Sequence, residues 1–388
     1  MSPAVDEVKL PLSFQINRSD VGPIFVDRLQ LQWNEWSPFS KDLAAYERGS
    51  KAASAGVDEV VSHPRFRTVA QIVTNPDLWM SHRTGGGSVN VSFFTACWSR
   101  STDSDAVVTV EPSFEGSVLL QLFATPVDYL AWWMELMTSK VSETTANFIP
   151  PLISLEALTY LLHAIDSYRR ASFQSMLDFT PTEDPRIPSG DFVATMLDSI
   201  KSQDVRWLLP AFLLLTPGLD QYQFAPRDED LSPLADHDFL VAEGDETGQS
   251  SFLRFGEAGK SMGVEFYRTW FMGVGFEITV LEAQKPRALR RAFLAPTALA
   301  NHLFVLESDV NGGCTVNHQA FAVEQLATKI GEILRQGLSS PTTAAPVAQP
   351  ETAEAAGGDH PAAASSCAAC GGALGPDAKF CPSCGARV

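Results

Sequence analysis

The chain has 388 residues, of which 45% are hydrophobic and 19% charged, and its formal net charge is −18. This composition is typical of a globular protein with enough apolar material for a packed core, and it excludes an intrinsically disordered chain. The acidic balance disfavours binding to nucleic acid and to anionic membranes, because both depend on Lys and Arg side chains.

The N-terminus has neither the basic region nor the apolar region of a secretory signal peptide, so the sequence predicts none. The longest apolar stretch, Trp207–Leu215, contains Pro210 and is too short to span a bilayer. Cys97 and Cys314 lie far apart and indicate no disulfide framework. We therefore expect a cytoplasmic protein without membrane insertion, in which clustered cysteines bind metal.

The first predicted repeat, residues 1–150, consists of a helix, four strands and a second helix. The first helix spans Phe66–Val73 and ends at Asn75-Pro76. Glycines mark the turns between the strands. The predicted strands are Leu78–His82, Val89–Trp98, Ala106–Val110 and Ser117–Phe123. Pro126 then begins a helix over Val127–Met137, because proline suits the first turn of a helix.

The second predicted repeat, residues 151–337, begins with a connecting helix. Apolar residues recur at helical spacing over Ser154–Leu177, with Ser154 as the N-cap. A short helix over Val205–Leu215 follows, and a final helix is predicted over Gln319–Leu334. The predicted strands are Phe239–Glu243, Ser251–Phe255, Val264–Phe271 and Phe276–Leu281. Pro286 is predicted to begin a helix that runs through Leu289 and Phe293.

The two repeats align best over residues 117–137 and residues 276–295, and both segments are interpreted as a strand, a proline and an amphipathic helix. The alignment indicates an internal structural duplication. The predicted fold class is α+β: pseudo-duplicated antiparallel β-meanders with packed helices, plus a small C-terminal zinc ribbon on a flexible linker.

The order of helix, meander and proline-started helix resembles the EspG-type chaperones of type VII secretion. The segments that carry this resemblance are Val118–Leu136 and Phe276–Leu294, within a match over residues 15–310. The resemblance implies a pseudo-symmetric cytosolic protein that holds secretion substrates or other partners without performing chemistry. It implies no particular binding residue.

Residues 338–366 are almost entirely Ala, Pro, Thr, Gly, Ser and Glu. Such a segment cannot bury enough apolar surface to offset its conformational entropy, so the sequence predicts a disordered linker. As a random coil, its ends would lie on the order of 30 Å apart.

Four cysteines near the C-terminus have the spacing of a zinc ribbon over residues 367–388. Cys367 and Cys370 form one CxxC pair, and Cys381 and Cys384 form the other. Four thiolates complete a tetrahedral coordination shell around one structural Zn²⁺ and leave no position for a catalytic water. The phrase FCPSCGA at residues 380–386 resembles the tails of the bacterial zinc-ribbon family. That resemblance implies a metal and leaves the partner of the ribbon open.

Other motifs favour structural interpretations. Gly256–Ser261 has two residues between its glycines where a phosphate loop has four, which favours a hairpin turn. Cys314 and His318 have no third residue that would orient a catalytic pair. Asp236–Asp238 could ligate a metal, but a solvated loop is the more common role of such a triplet.

Two pairs of tryptophans could lie either in the core or on a partner-binding surface. Trp132 and Trp133 are predicted to face the core, with a partner helix as the alternative. Trp33 and Trp36 leave the same two alternatives open.

Without a catalytic signature, the sequence predicts a non-enzymatic cytosolic adaptor or chaperone. The α+β body and the tethered ribbon would each bind a protein partner, so that the linker adds effective concentration. One alternative is an enzyme whose active site is assembled from distant residues. Another is a nucleic-acid-associated zinc-ribbon protein, for which Lys379 and Arg387 offer modest positive charge. The sequence leaves the oligomeric state open.

Overall fold

The computed structural model describes residues 10–339, except for residues 87, 101, 103, 114–115, 145–146, 181–183, 220–230, 245–250, 269–271 and 309–313. The predicted ribbon, with Cys367, Cys370, Cys381 and Cys384, lies outside the described residues, as does the predicted linker after Ser339. The ribbon, its zinc ion and the linker therefore stay predictions.

The described residues form strands and helices in the following order. The strands are β1 Leu12–Asn17, β2 Leu78–Gly86, β3 Ser88–Trp98, β4 Val107–Pro112, β5 Ser117–Phe123, β6 Leu152–Ser154, β7 Arg186–Pro188, β8 Leu240–Gly244, β9 Ser251–Phe255, β10 Met272–Glu282, β11 Lys285–Pro296, β12 Asn301–Ser308 and β13 Cys314–Phe321. The helices are α1 Ser40–Ala44, α2 Val57–Ser62, α3 Phe66–Thr74, α4 Pro126–Met137, α5 Leu155–Leu177, α6 Ser189–Lys201, α7 Leu208–Leu215, α8 Ser232–Asp236, α9 Glu257–Arg268 and α10 Val323–Ser339. A 3₁₀ turn, Arg18–Asp20, and a π-helical turn, Pro23–Arg28, follow β1.

A single antiparallel sheet organises the fold, which confirms the α+β class. Its strand order is β1-β5-β4-β3-β2-β10-β11-β12-β13-β6, and β7, β9 and β8 form a separate small sheet. Each half of the sheet has the same arrangement outward from the β2–β10 pair. Two hairpins come first, β2–β3 and β4–β5 in one half and β10–β11 and β12–β13 in the other. The outermost strand, β1 or β6, precedes these hairpins in the sequence. A helix follows each half, α4 after β5 and α10 after β13. The large sheet thus has a pseudo-two-fold axis at the antiparallel β2–β10 pair.

Three apolar cores pack against the two faces of this sheet. On one face, α4 and α10 cover its middle, with Trp133 and Ile330 buried beneath them. On the other face, α3 and the turns after β1 cover the first half of the sheet. The helical layer α5 to α9 covers the second half, where Phe293 and Phe304 meet Phe212 of α7.

The predicted helices and strands between residues 66 and 137 are confirmed, although β1, α1 and α2 before them were not predicted. The second half contains errors. The predicted strand Val264–Phe271 is wrong, because residues 257–268 form α9 and bury Met262 and Phe266 against the helical layer. The predicted helix from Pro286 is also wrong. That segment is β11, which pairs with both β10 and β12. The final helix begins at Val323, since Gln319 and Phe321 belong to β13.

These corrections change the equivalence of the two halves. The segment at residues 276–295 is a β-hairpin, so its alignment with the strand and helix at residues 117–137 is wrong. The counterpart of α4 in the second half is α10. The antiparallel pairing of β10 with β2, which are distant in sequence, sets the symmetry that decides this equivalence.

Candidate protein-interaction surfaces

Helix α5 ends in four exposed apolar side chains. Ser154 caps its N-terminus by accepting a hydrogen bond from the Ala157 N–H at 3.2 Å. The helical layer fully buries α5 as far as Arg169. Beyond this point the apolar pattern continues with partial cover, since Tyr267 contacts Phe173 and Met176 while Leu177 is 69% exposed. We call the resulting surface the α5 apolar tip. It consists of Phe173, Met176, Leu177 and Phe179.

The backbone at the tip holds Phe179 in a conformation that normally favours glycine. Its φ angle is +54°, in the left-handed region, at the position just after the helix C-cap. The Thr180 N–H donates to the Ser175 carbonyl at 2.9 Å and closes this turn. The Phe179 side chain is 92% exposed and that of Leu177 is 69% exposed. Left-handed backbone at a residue other than glycine costs about 1 kcal/mol or more, and burial of the side chain offsets none of that cost here.

A buried ion pair fixes the middle of α5 and so positions the tip. Asp166 accepts from Arg169 Nη1 at 2.8 Å and from the N–H groups of Leu208 and Leu209 at 3.0 and 2.9 Å. It therefore caps the N-terminus of α7 from a neighbouring helix. Burial raises the pKa of Asp166, while the Arg169 guanidinium and the two N–H groups act in the opposite direction. Arg169 and Arg170 both lie about 5 Å from the Trp207 ring, at 5.0 and 4.9 Å.

A second surface feature is a cleft between α10 and the outer strands of the second half. Its volume is about 380 Å³. Leu303, Phe321 and Ile333 contribute an apolar floor, and Arg290 and Lys329 contribute positive charge. We call this feature the α10 cleft.

A chain of buried polar side chains links α9 to the sheet. His302 Nε2 lies 2.9 Å from Glu265 Oε1, and His302 Nδ1 lies 3.1 Å from His318 Nε2. The chain continues from His318 Nδ1 to Asn147 Nδ2 at 3.3 Å. Burial, followed by the effect of His302, lowers the pKa of His318 well below its usual range. One arrangement satisfies the chain with both imidazoles neutral: Asn147 donates to His318, His318 to His302, and His302 to the Glu265 carboxylate.

The geometry of this chain favours a structural role. Glu265 is 7% exposed, His302 1% and His318 3%, so the three side chains are almost fully buried, although His318 also borders the α10 cleft. Cys314 and His318 both lie on β13, four residues and about 13 Å of strand apart. Burial raises the pKa of Cys314, which disfavours its reactive thiolate. The sequence gives no signal that pairs Glu265 with His302, because helix packing brings them together.

Gly256–Ser261 and Asp236–Asp238 meet at the N-terminus of helix α9. The predicted hairpin turn at Gly256–Ser261 is wrong, since α9 begins at Glu257. Asp238 Oδ2 accepts from the Glu257 N–H at 2.8 Å, and Asp236 ends α8. A Cβ atom at Gly259 would lie 2.2 Å from the Phe239 carbonyl oxygen, so glycine is needed for this close approach.

The tryptophans divide between the core and the surface. Trp133 is fully buried, which confirms its predicted core position. Trp132 is partly buried and packs against Phe123 with a ring-centroid distance of 5.1 Å. Trp36 stacks on Trp79, and Trp33 is 37% exposed.

Within the described ranges, no group of three or more His, Cys, Asp or Glu side chains is arranged to hold a metal ion. The same part of the chain contains no helix with the length and apolar character needed to cross a membrane.

Comparison with solved structures shows a distant structural likeness. The chain resembles the chaperone EspG5 of the Mycobacterium tuberculosis type VII secretion system, determined in complex with a PE25–PPE41 dimer. The two share 6% sequence identity with a TM-score of 0.39, over 83% of this chain and 96% of EspG5. No family model matches the chain, so its zinc-ribbon resemblance stays a prediction. No curated protein is significantly similar to it in sequence.

Proposed function

We propose that this chain is a non-enzymatic cytosolic adaptor or chaperone that binds a protein partner through the α5 apolar tip. The observation that carries the proposal is Phe179, which combines a left-handed backbone with a 92% exposed aromatic ring. Unfavourable backbone geometry beside a contiguous apolar surface is typical of a site kept for binding.

The size of the tip fits a moderate-affinity contact. Complete burial of a fully exposed large apolar side chain contributes about 1.5–3 kcal/mol. Because the four side chains of the tip are between 39% and 92% exposed, their burial contributes roughly 4–8 kcal/mol before the cost of association is subtracted. That cost is about 4–15 kcal/mol, which leaves the tip dependent on additional contacts. A partner that also contacts a second surface of this chain therefore fits the proposal better than one held by the tip alone.

The tip is tested by affinity purification of the full chain from its native host, followed by mass spectrometry. The test variant is Leu177→Ser with Phe179→Ser, and the control is Val127→Ser, which changes a 76% exposed apolar residue on α4. Partners of the wild type should be retained by the control and lost from the tip variant, with the urea midpoint of both unchanged. An identical set of partners in the tip variant would contradict the proposal.

The predicted zinc ribbon is the second part of the proposal. Cys367, Cys370, Cys381 and Cys384 would hold one Zn²⁺, and the ribbon would contact a second partner or a second part of the first. Elemental analysis of the full chain, purified under reducing conditions with zinc supplied, should find one zinc per chain. The Cys381→Ser, Cys384→Ser variant should lose it. Absence of stoichiometric zinc in the wild type would contradict the predicted zinc ribbon.

A role in secretion remains a hypothesis drawn from the EspG-type resemblance.

A further inference from the structure

The two halves of the sheet differ at one equivalent position of their helices. Trp132 and Lys329 are each the seventh residue of their helix, in α4 and α10 respectively. Trp132 packs edge-on against Phe94 of β3, with a centroid distance of 6.0 Å, and against Phe123 at the end of β5. The indole therefore fills the space between α4 and its strands.

In the second half, the equivalent space is open and forms the α10 cleft. Lys329 is exposed and takes the place of the indole, while Phe321 ends β13 as Phe123 ends β5. Phe321 and Ile333 are each 6% exposed and lie in the floor of the cleft with Val305. The cleft thus has the apolar floor for a large side chain, which no side chain among the described residues fills.

The rim of the cleft has positive charge on an acidic protein. Neighbouring cations of β11 are neutralised, because Arg287 pairs with Glu282 and Arg291 pairs with Glu277. Arg290, by contrast, donates to the Leu289 carbonyl at 2.7 Å. Among the described residues, neither Arg290 nor Lys329 has a carboxylate within ion-pair distance. Two cations therefore face the cleft against the single carboxylate of Glu307.

We propose that the α10 cleft binds an acidic peptide segment of a partner protein. An aromatic side chain of that segment would occupy the position that Trp132 fills in the first half, and flanking carboxylates would pair with Arg290 and Lys329. The inference rests on the proposed function in one respect, that the ligand is a protein. It adds the chemistry of the bound segment and a second surface, built from different residues than the α5 apolar tip.

The test uses the full chain and two fluorescein-labelled peptide libraries, measured by anisotropy at low salt. One library has a central aromatic residue flanked by glutamates, and the matched library has lysines in place of the glutamates. The decisive variant is Lys329→Trp, which restores the first-half arrangement and fills the cleft. Lys329→Gln and Arg290→Glu change charge without filling it, and Lys201→Glu on α6 is the charge-matched control away from the cleft.

The glutamate library should bind the wild type and the Lys201→Glu control, and the lysine library should bind neither. Lys329→Trp should weaken binding about tenfold or more, because an interface depends most on its buried aromatic anchor. Lys329→Gln should weaken it about threefold, the usual size of an exposed charge contact. Arg290→Glu should weaken it by more than Lys329→Gln, since it reverses the charge.

Three results would overturn the inference: no binding of the glutamate library, binding unchanged by Lys329→Trp and Arg290→Glu, or preference for a single-stranded oligonucleotide that Arg290→Glu abolishes. The proposed function fails separately, when the Leu177→Ser, Phe179→Ser variant keeps every partner. If the tip variant loses partners and Lys329→Trp keeps them, the peptide-binding role of the cleft is contradicted and the proposed function is not.

Discussion

Buried histidines should make this protein lose stability as the pH falls below neutrality. Burial lowers the pKa of His82 to about 3, and burial with the nearby Arg170 lowers that of His163 to about 3. Below pH 6.5, the unfolded chain binds protons at these histidines and the folded chain does not. The free energy of unfolding therefore falls as the pH drops from about 6.5 towards 3, and it is unaffected by these groups above that window.

The magnitude follows from the shift between the folded and unfolded pKa values. Each histidine that stays neutral in the folded protein lowers the free energy of unfolding by about 1.4 kcal/mol between about pH 7.5 and about pH 5.5. His82 and His163 together therefore lower it by about 3 kcal/mol. His318 acts in the same direction, because burial lowers its pKa well below the usual range. Urea unfolding at the two pH values, followed by tryptophan fluorescence, measures the difference.

The variant His82→Phe isolates one of these contributions. His82 stacks on Phe94 at 4.0 Å, and its Nε2 atom lies 3.3 Å from the Tyr129 hydroxyl. Phenylalanine keeps the stacking on Phe94 but removes the hydrogen-bond partner of the Tyr129 hydroxyl. This loss lowers the free energy of unfolding by about 1–3 kcal/mol at either pH. The loss of stability between about pH 7.5 and 5.5 should shrink by about 1.4 kcal/mol. The exposed His237→Gln control should leave the loss unchanged.

Two results would refute this reasoning. The first is a wild-type protein whose unfolding free energy is equal or higher at the lower pH. The second is a His82→Phe variant with the same pH dependence as the wild type, because the proton uptake would then belong to other groups.

Three further predictions concern the interior of the described residues. Asp166→Asn removes the charge beside buried Arg169 and should lower the free energy of unfolding by about 3–5 kcal/mol, against less than about 1 kcal/mol for Glu135→Gln in an exposed pair. Gly275→Ala places a Cβ 1.9 Å from a carbonyl oxygen of α7 and should cost about 3 kcal/mol or more, whereas Gly190→Ala should change stability by less than about 1 kcal/mol. Equal effects within either pair in urea unfolding would contradict these assignments. Burial raises the pKa of Cys97, so iodoacetamide should modify it only on unfolding; rapid alkylation of the native protein, detected by mass spectrometry, would oppose this.

Local sequence predicted strands β2 to β5 of the first half of the sheet because its signals agree with one another, but it did not predict the edge strand β1. Glycines lie at the β2–β3 and β4–β5 turns, and Pro126 begins α4 after Thr125, whose side chain accepts from the Asp128 N–H at 3.1 Å. Helix α5 was equally predictable from its apolar period and its Ser154 cap. In these segments the preference of each residue and the demands of packing lead to the same structure.

The second half required the tertiary structure. Pro286 suits the first turn of a helix, but at the exposed start of β11 its missing N–H is tolerated, and pairing with β10 and β12 makes the segment a strand. Strands β12 and β13 were not predicted, because strand propensity depends on neighbours that are distant in sequence. For the same reason the duplication was predicted while its alignment was wrong.

The candidate surfaces show the same division. The sequence by itself determined that α5 is an amphipathic helix, and it predicts four cysteines that would hold zinc. Only the tertiary structure decided that full cover ends near Arg169 and leaves Phe179 exposed, and that Lys329 lies where its counterpart Trp132 fills a core. Periodicity shows which face of a helix is apolar, whereas the position of neighbouring elements decides how much of that face is buried.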